Sequence, residues 1–256
     1  MMLDVECLDE TCMKKLASEE VLAIRIKGWL PPPLATRIGE KILAPGFEGY
    51  INAPSIGRIG MAFYEAENQP LLIEDYFERA TRNITELRNR CAPYSSPVDT
   101  LRCMFDESWP AGAQLETLYG RKMFVGLSRV VKPGVRFLAH HDIFAKDAPQ
   151  SFQARSLQAQ FACNVYLNMP AQGGALQMWD RDISPEQFDE MRGDSYGIDP
   201  AQLGTPTLEV RPEAGDFIMF NSRRMHSVTP GLAEPRLSLS FFVGYRGTAS
   251  PLTFWS

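Results

Sequence analysis

Val135-Arg136-Phe137-Leu138-Ala139-His140-His141-Asp142-Ile143-Phe144 is the stretch on which the reading turns. It follows the turn signal Lys132-Pro133-Gly134 and reads as a β-strand. Side chains of a strand project to alternate faces, which puts His140 and Asp142 on one side and His141 on the other. An imidazole and a carboxylate so placed can share a metal ion. A third ligand from a different strand would complete one face of an octahedron, leaving positions open for substrate and oxygen. The chain holds 3 histidines, so His226, in Asn221-Ser222-Arg223-Arg224-Met225-His226, is the one left to supply it. A bare His-x-Asp is a weak signal, since an exposed strand histidine commonly has no function. Its company gives it weight.

Outward from this stretch, the second half of the chain reads mostly as strands. Those predicted are Lys122–Val131, Val135–Phe144, Ala159–Asn168, Ala175–Trp179, Thr207–Val210, Asp216–Phe220 and Arg236–Tyr245. Gln172-Gly173-Gly174 and Glu213-Ala214-Gly215-Asp216 supply turns. Arg181 to Leu203 is an insertion, in which Ser184-Pro185-Glu186-Gln187 starts a helix and Gly193 stops it. The first half reads as helical after one strand at Leu22, Ile24 and Ile26. Pro31 to Pro33 open a segment with Leu34, Ile38 and Ile42 at helical spacing, and Leu72 to Cys91 is amphipathic. Ser96 is expected to cap a further helix reaching about Trp109. Helices followed by short strands predict a mainly β fold, a sandwich or small barrel with flanking helices. Without a repeat or clear linker, residues 1–256 are expected to form one domain, helical to about 118 and β from about 119.

Near the end, parity puts Arg236, Ser238 and Ser240 on one strand face and Leu237, Leu239 and Phe241 on the other. A guanidinium in an apolar strand needs an acidic partner. With Asp142 engaged by metal, a ligand carboxylate gripped by the planar donor fork is the economical choice, and the Ser238 hydroxyl adds a donor.

His140-x-Asp142, His226 and Arg236-x-Ser238, in this order and spacing, resemble the Fe(II)/2-oxoglutarate-dependent oxygenases. The resemblance runs from about Leu118 to Tyr245. Tyr166-Leu167-Asn168 and Gly173-Gly174-Ala175-Leu176 are similar to the family's mid-barrel strands. It implies a double-stranded β-helix, the cupin-like jelly roll, with helical N-terminal support. It also implies Fe(II) held by His140, Asp142 and His226, and 2-oxoglutarate as cosubstrate, its distal carboxylate on Arg236 and Ser238. Oxygen then converts 2-oxoglutarate to succinate while an unactivated C–H bond is oxidised. His140 to Pro149 and Phe242-Val243-Gly244-Tyr245-Arg246 are similar to a small-molecule branch that contains free amino acid hydroxylases and radical halogenases. The halogenases have Gly or Ala where this chain has Asp142, so hydroxylation, desaturation or ring closure is expected instead.

The expected substrate is a small molecule such as a free amino acid, with Arg246, Trp255, Asn164, Asn221 and Asp147 chemically able to meet its charges. Each has a duller reading: Arg246 and Asp147 as solvated surface charges, Asn221 as a brace for the turn before His226. Trp29, Trp109 and Trp179 are expected in the core, while Arg181 to Leu203 and Lys146 to Gln158 are placed to close over the site. A peptide residue as substrate, or a non-catalytic cupin-like metal protein, are the competing classes. A net charge of −5 argues against nucleic acid, and no apolar run approaches a bilayer span. Met1 to Lys15 carries acids where a secretory signal carries bases, so a cytoplasmic protein is expected, its 5 cysteines reduced.

Overall fold

The computed structural model describes residues 1–50, 55–66 and 69–256. The N-terminal half supplies β1 (Met2–Asp4), α1 (Glu10–Ala17), β2 (Ala23–Ile26), α2 (Pro32–Leu43), β3 (Glu48–Gly49), β4 (Ile56–Ile59), α3 (Pro70–Cys91), α4 (Pro97–Ser108), β5 (Ala113–Leu115) and β6 (Thr117–Leu118). There follow β7 (Arg121–Lys122), β8 (Leu127–Val131), β9 (Phe137–His140), α5 (Phe144–Asp147), α6 (Phe152–Arg155), β10 (Ala159–Asn168) and β11 (Leu176–Trp179). The chain then runs through α7 (Pro185–Arg192), β12 (Leu208–Val210), β13 (Phe217–Asn221), β14 (Met225–Val228), β15 (Arg236–Tyr245) and β16 (Leu252–Trp255).

Two sheets make the jelly roll. The larger runs β1-β2-β13-β10-β15-β8-β4-β3, with β16 and β5 continuing beside β15; the smaller runs β12-β11-β14-β9. On β10 and β15, Phe161, Cys163, Val165, Leu237, Leu239 and Phe241 pack outward with the apolar faces of the helices. Ala35, Ile38 and Ile42 recur at helical spacing on the buried side of α2, and Gly39 lets that helix lie close on Leu167 of β10. The opposite parity, including Ala162, Tyr166, Ile218, Phe220 and Phe242, faces Phe137, Leu176 and Val228 of the smaller sheet. The site lies between the sheets.

All seven expected strands of the second half exist, most of them trimmed at their ends, and the helices follow their apolar periodicity. Ser184 caps α7 through Gln187 N and Gly193 ends it at φ +54. Ser96 stands at the N-cap of α4, but its hydroxyl makes no capping bond. Residues 1–118 are more than helical support, because β2 pairs with β13 and β4 with β8. The strand expected from Leu22, Ile24 and Ile26 is β2, whereas β4, like β14, is short and draws its hydrogen bonds from distant partners, so local sequence carries little trace of it. Gly215 has a turn role that only glycine fills, at φ +96 with a Cβ position 2.1 Å from the Leu30 carbonyl oxygen. Its own carbonyl accepts from Leu30 N at 2.9 Å, fastening the start of α2 to the barrel.

Trp109 and Trp179 are core residues, and Trp29 is partly buried against the core. The cysteines are free, with Cys12, Cys91 and Cys163 buried. Among the described residues no helix is long and apolar enough to cross a membrane.

Candidate functional site

His140 ends β9 and His226 lies directly opposite it on antiparallel β14, with ring centroids 4.3 Å apart. The next paired residues are Phe137 and Val228, so β9 carries one extra residue there, a β-bulge. Strict alternation would send Phe137 and His140 to opposite faces. The bulge brings both inward, and the Phe137 ring lies against His140 at 5.1 Å and 27°. Asp142 follows the end of the strand, its backbone N–H held by the Ser222 carbonyl at 2.8 Å.

Each imidazole is oriented by backbone. His140 Nδ1 lies 2.8 Å from Leu138 O and His226 Nδ1 lies 3.0 Å from Arg224 O. A carbonyl only accepts, so Nδ1 carries the proton and Nε2 turns its lone pair toward Asp142. His140 Nε2 is 3.9 Å from Asp142 Oδ1, and His226 Nε2 is 3.5 Å from Asp142 Oδ2. Burial, together with the neighbouring His226, pushes the His140 imidazole down to about 3. Burial opposes the Asp142 charge, yet the His226 and His140 rings and the Arg129 guanidinium outweigh it and hold that carboxyl below its usual range. One ligand atom from each of the three residues lies within 4.8 Å of the others. Asp142 Oδ2 and His226 Nε2 are buried without a hydrogen-bond partner. Lone pairs aimed at one point repel each other unless a cation stands between them, so the donor set fits a divalent ion.

An inner cavity leads from His140 and His226, past Asn164, Leu176 and Phe220, to Arg236. Arg236 is 6% exposed, its Cζ lies 4.9 Å over the Tyr166 ring, and its Nε is unpartnered. Burial lowers its affinity for the proton. Ser238, one same-face step along β15, is fully buried with an unpartnered hydroxyl. The orphaned donors fit an anionic ligand.

An outer cavity of about 470 Å3 opens on the other side of His140 and Asp142. Tyr50, Tyr64, Phe188 and Tyr196 wall it, with Lys146, Asp147, Arg192 and Asp194 among the charges. Lys146 and Arg192 share one carboxylate, each nitrogen 2.8 Å from Asp189 Oδ1, and both stand over the Phe188 ring, at 5.2 and 5.7 Å. His141 turns from its neighbours onto that ring at 4.4 Å, and burial lowers its imidazole to about 4. Burial and the Asp142 charge raise the Asp147 carboxyl well above its usual range.

Of the candidate substrate contacts, Asp147 lines the outer cavity and Asn164 the inner one. Asn221 braces its turn, accepting from Arg223 N at 3.0 Å and donating to Glu19 at 3.1 Å. Arg246 is neither a cavity residue nor a solvated charge, because its donors go to Glu116, Thr253, Ser156 and Gln153 O. Trp255 is core, stacked on Phe144 at 4.5 Å. Arg129 escaped the sequence reading, although a lone arginine in Leu127-Ser128-Arg129-Val130-Val131 is the same signal that singled out Arg236.

The profile of the 2OG-Fe(II) oxygenase superfamily matches residues 125–244. L-gamma-glutamyl-L-propargylglycine hydroxylase of Streptantibioticus cattleyicolor is 28% identical over 206 residues, 78% of this chain and 74% of that protein. Among solved structures, an N-substituted L-amino acid dioxygenase from Burkholderia ambifaria superposes with a TM-score of 0.63 at 18% identity. That match covers 96% of this chain and 91% of the other, and at such identity it speaks for the fold. Its complex with alpha-ketoglutarate gives 0.62 at 17%, over 96% and 90% of the two chains. The 2OG-Fe(II) oxygenase superfamily profile over residues 125–244 and the hydroxylase relative, on the fold that the solved structures share, indicate an Fe(II)/2-oxoglutarate-dependent dioxygenase.

Proposed function

We propose that the chain hydroxylates a small amino acid, free or carrying a substituent on its nitrogen, with Fe(II) bound by His140, Asp142 and His226. The reading rests on one juxtaposition: three converging lone-pair donors stand at the head of a buried cavity whose far end carries a guanidinium without an acid. Fe(II) and 2-oxoglutarate together supply the oxidant that removes hydrogen from an unactivated carbon. The chain's own residues do the rest. Leu138 O and Arg224 O hold the two imidazoles with Nε2 forward. Arg236 and Ser238 take the distal carboxylate of 2-oxoglutarate, and Phe137, Leu176 and Val228 keep water from the space between. The outer cavity seats the substrate beside His140 and Asp142, where Lys146 and Arg192, which share Asp189, can meet a carboxylate and Asp194 an ammonium or N–H group. The names of the relatives, a gamma-glutamyl amino acid hydroxylase and an N-substituted amino acid dioxygenase, suggest the same chemical class.

The test is succinate formation from 2-oxoglutarate under Fe(II) and oxygen, screened over free amino acids, N-acyl amino acids and gamma-glutamyl dipeptides. One compound should stimulate turnover and gain a single oxygen in mass. Loss of two hydrogens would turn the reading to desaturation or ring closure, and stimulation only by peptides or proteins would overturn it.

A further inference from the structure

The inner cavity is lined by two buried guanidiniums, and the reading above uses only one. Arg129, on β8, is 9% exposed and donates from Nε to the Tyr50 hydroxyl at 3.1 Å. Among the described residues, no carboxylate lies within ion-pair distance of Arg129 or of Arg236. A barrel interior that keeps two such charges is arranged for negative charge arriving from outside.

The two cations are staggered. Where β8 runs antiparallel to β15, Arg129 pairs with Ser238 and Arg236 with Val131. They therefore stand one same-face step apart along the ladder, roughly 7 Å at the strand rise, a spacing suited to the two ends of a short diacid. Arg129 is the one nearer the metal-facing residues. Its partner Tyr50 lines the outer cavity together with His140 and Asp142.

We propose that Arg129 is a second carboxylate anchor, gripping the 2-oxo acid end of the cosubstrate beside the metal while Arg236 and Ser238 grip its distal end. The proposal rests on the reading of the inner cavity as the 2-oxoglutarate site. It assigns one guanidinium to each carboxylate of a dianion, and it makes Tyr50 the residue that keeps the Arg129 fork in place.

Calorimetry on Mn2+-loaded protein tests this without turnover, using two ligands: 2-oxoglutarate, and 2-oxobutyrate, a keto acid without the distal carboxylate. In Arg129→Met both should bind roughly tenfold to a hundredfold more weakly, the loss expected of a charge-assisted hydrogen bond. In Arg236→Met only 2-oxoglutarate should weaken. Mn2+ affinity close to that of the wild type certifies that a variant is folded around its metal. If Arg129→Met fails that check, Arg129→Lys carries the same comparison, since it keeps the charge but not the two-pronged donor. Three outcomes overturn the proposal: unchanged affinity for both acids, which would hand Arg129 to a substrate carboxylate; loss for 2-oxoglutarate alone, which would place both cations at the distal end; and loss of substrate binding only. Failure of the wild-type protein to bind 2-oxoglutarate would instead remove the reading on which the proposal stands.

Discussion

The cavities on the two sides of His140 are built from different material. The inner one is walled by β8, β10, β14 and β15, whose side chains are aimed by ladder registers that move only if hydrogen bonds break. The outer one touches β4 and β9 through Ile56, Phe137 and His140 but is otherwise walled by short helices and the chain around them: Tyr50, Tyr64, residues 141–143, Lys146 and Asp147 of α5, Phe188 and Arg192 of the two-turn helix α7, and residues 194–196. Their electrostatics differ as well. The inner cavity carries cations without acids, whereas the outer carries both signs, with Lys146 and Arg192 sharing Asp189. On the function proposed above, the chemistry common to a superfamily would sit on the rigid scaffold and the choice of substrate on the loops and short helices.

The contrast breaks most easily at the metal. His140→Gln or His226→Ala should lower succinate formation by more than about a hundredfold, beyond what losing an outer partner of a ligand costs. His141→Gln, which touches Phe188 and no ligand atom, should leave metal affinity unchanged by calorimetry. Equal damage from both imidazoles would erase the distinction between the two sides. Arg236→Ala should come next, weakening 2-oxoglutarate by roughly tenfold to a hundredfold while leaving metal affinity intact. On the outer side, Phe188→Ala should cost about tenfold in kcat/KM for the preferred substrate, with substrate-independent succinate formation unchanged. A fall in both would mean that the outer wall supports the inner one.

A separate effect, independent of turnover, is on stability. In the folded metal-free protein His140 and His141 are held to about 3 and about 4, whereas the unfolded chain protonates them near 6.5. Below pH 6.5 the unfolded state therefore binds more protons, and stability falls as the pH drops toward about 3. Asp142 acts in the same direction only at lower pH, because its depressed carboxyl contributes stability above 3.8 that is lost as pH falls through its folded value. Melting temperature followed across this range should decline, and His141→Phe should flatten the upper part of the decline without reaching its end.

The inner side was legible in the sequence because it obeys a periodicity. Arg236 and Ser238 share a face by parity, and His140 with Asp142 was paired on the same rule, even though the strand ends before Asp142. The bulge was not legible, since nothing in Phe137-Leu138-Ala139-His140 marks an additional residue. Nor was β14, four residues behind two arginines with no alternation to display. The outer cavity was legible only as segments: Arg181 to Leu203 and Lys146 to Gln158 were expected over the site and do supply Phe188, Arg192, Tyr196, Lys146 and Asp147 to its wall, but which side chains meet there, Tyr50 among them, is decided by packing. Arg246 misled for the opposite reason, a charge that looked free in the sequence but is spent on Glu116 and Thr253.

The additional residue in β9 has a consequence for how the chain tolerates change in length. Surface connections accept an insertion or deletion at modest cost. Between Phe137 and His140 the extra residue is the bulge itself, so removing Leu138 or Ala139 would leave the two side chains two residues apart and on one face by plain alternation, opposite Val228 and His226 as before. A one-residue deletion there should keep both side chains in the barrel and cost instead the local contacts of the bulge, the Leu138 carbonyl at His140 Nδ1 and the pairing of Ala139 with Ile198.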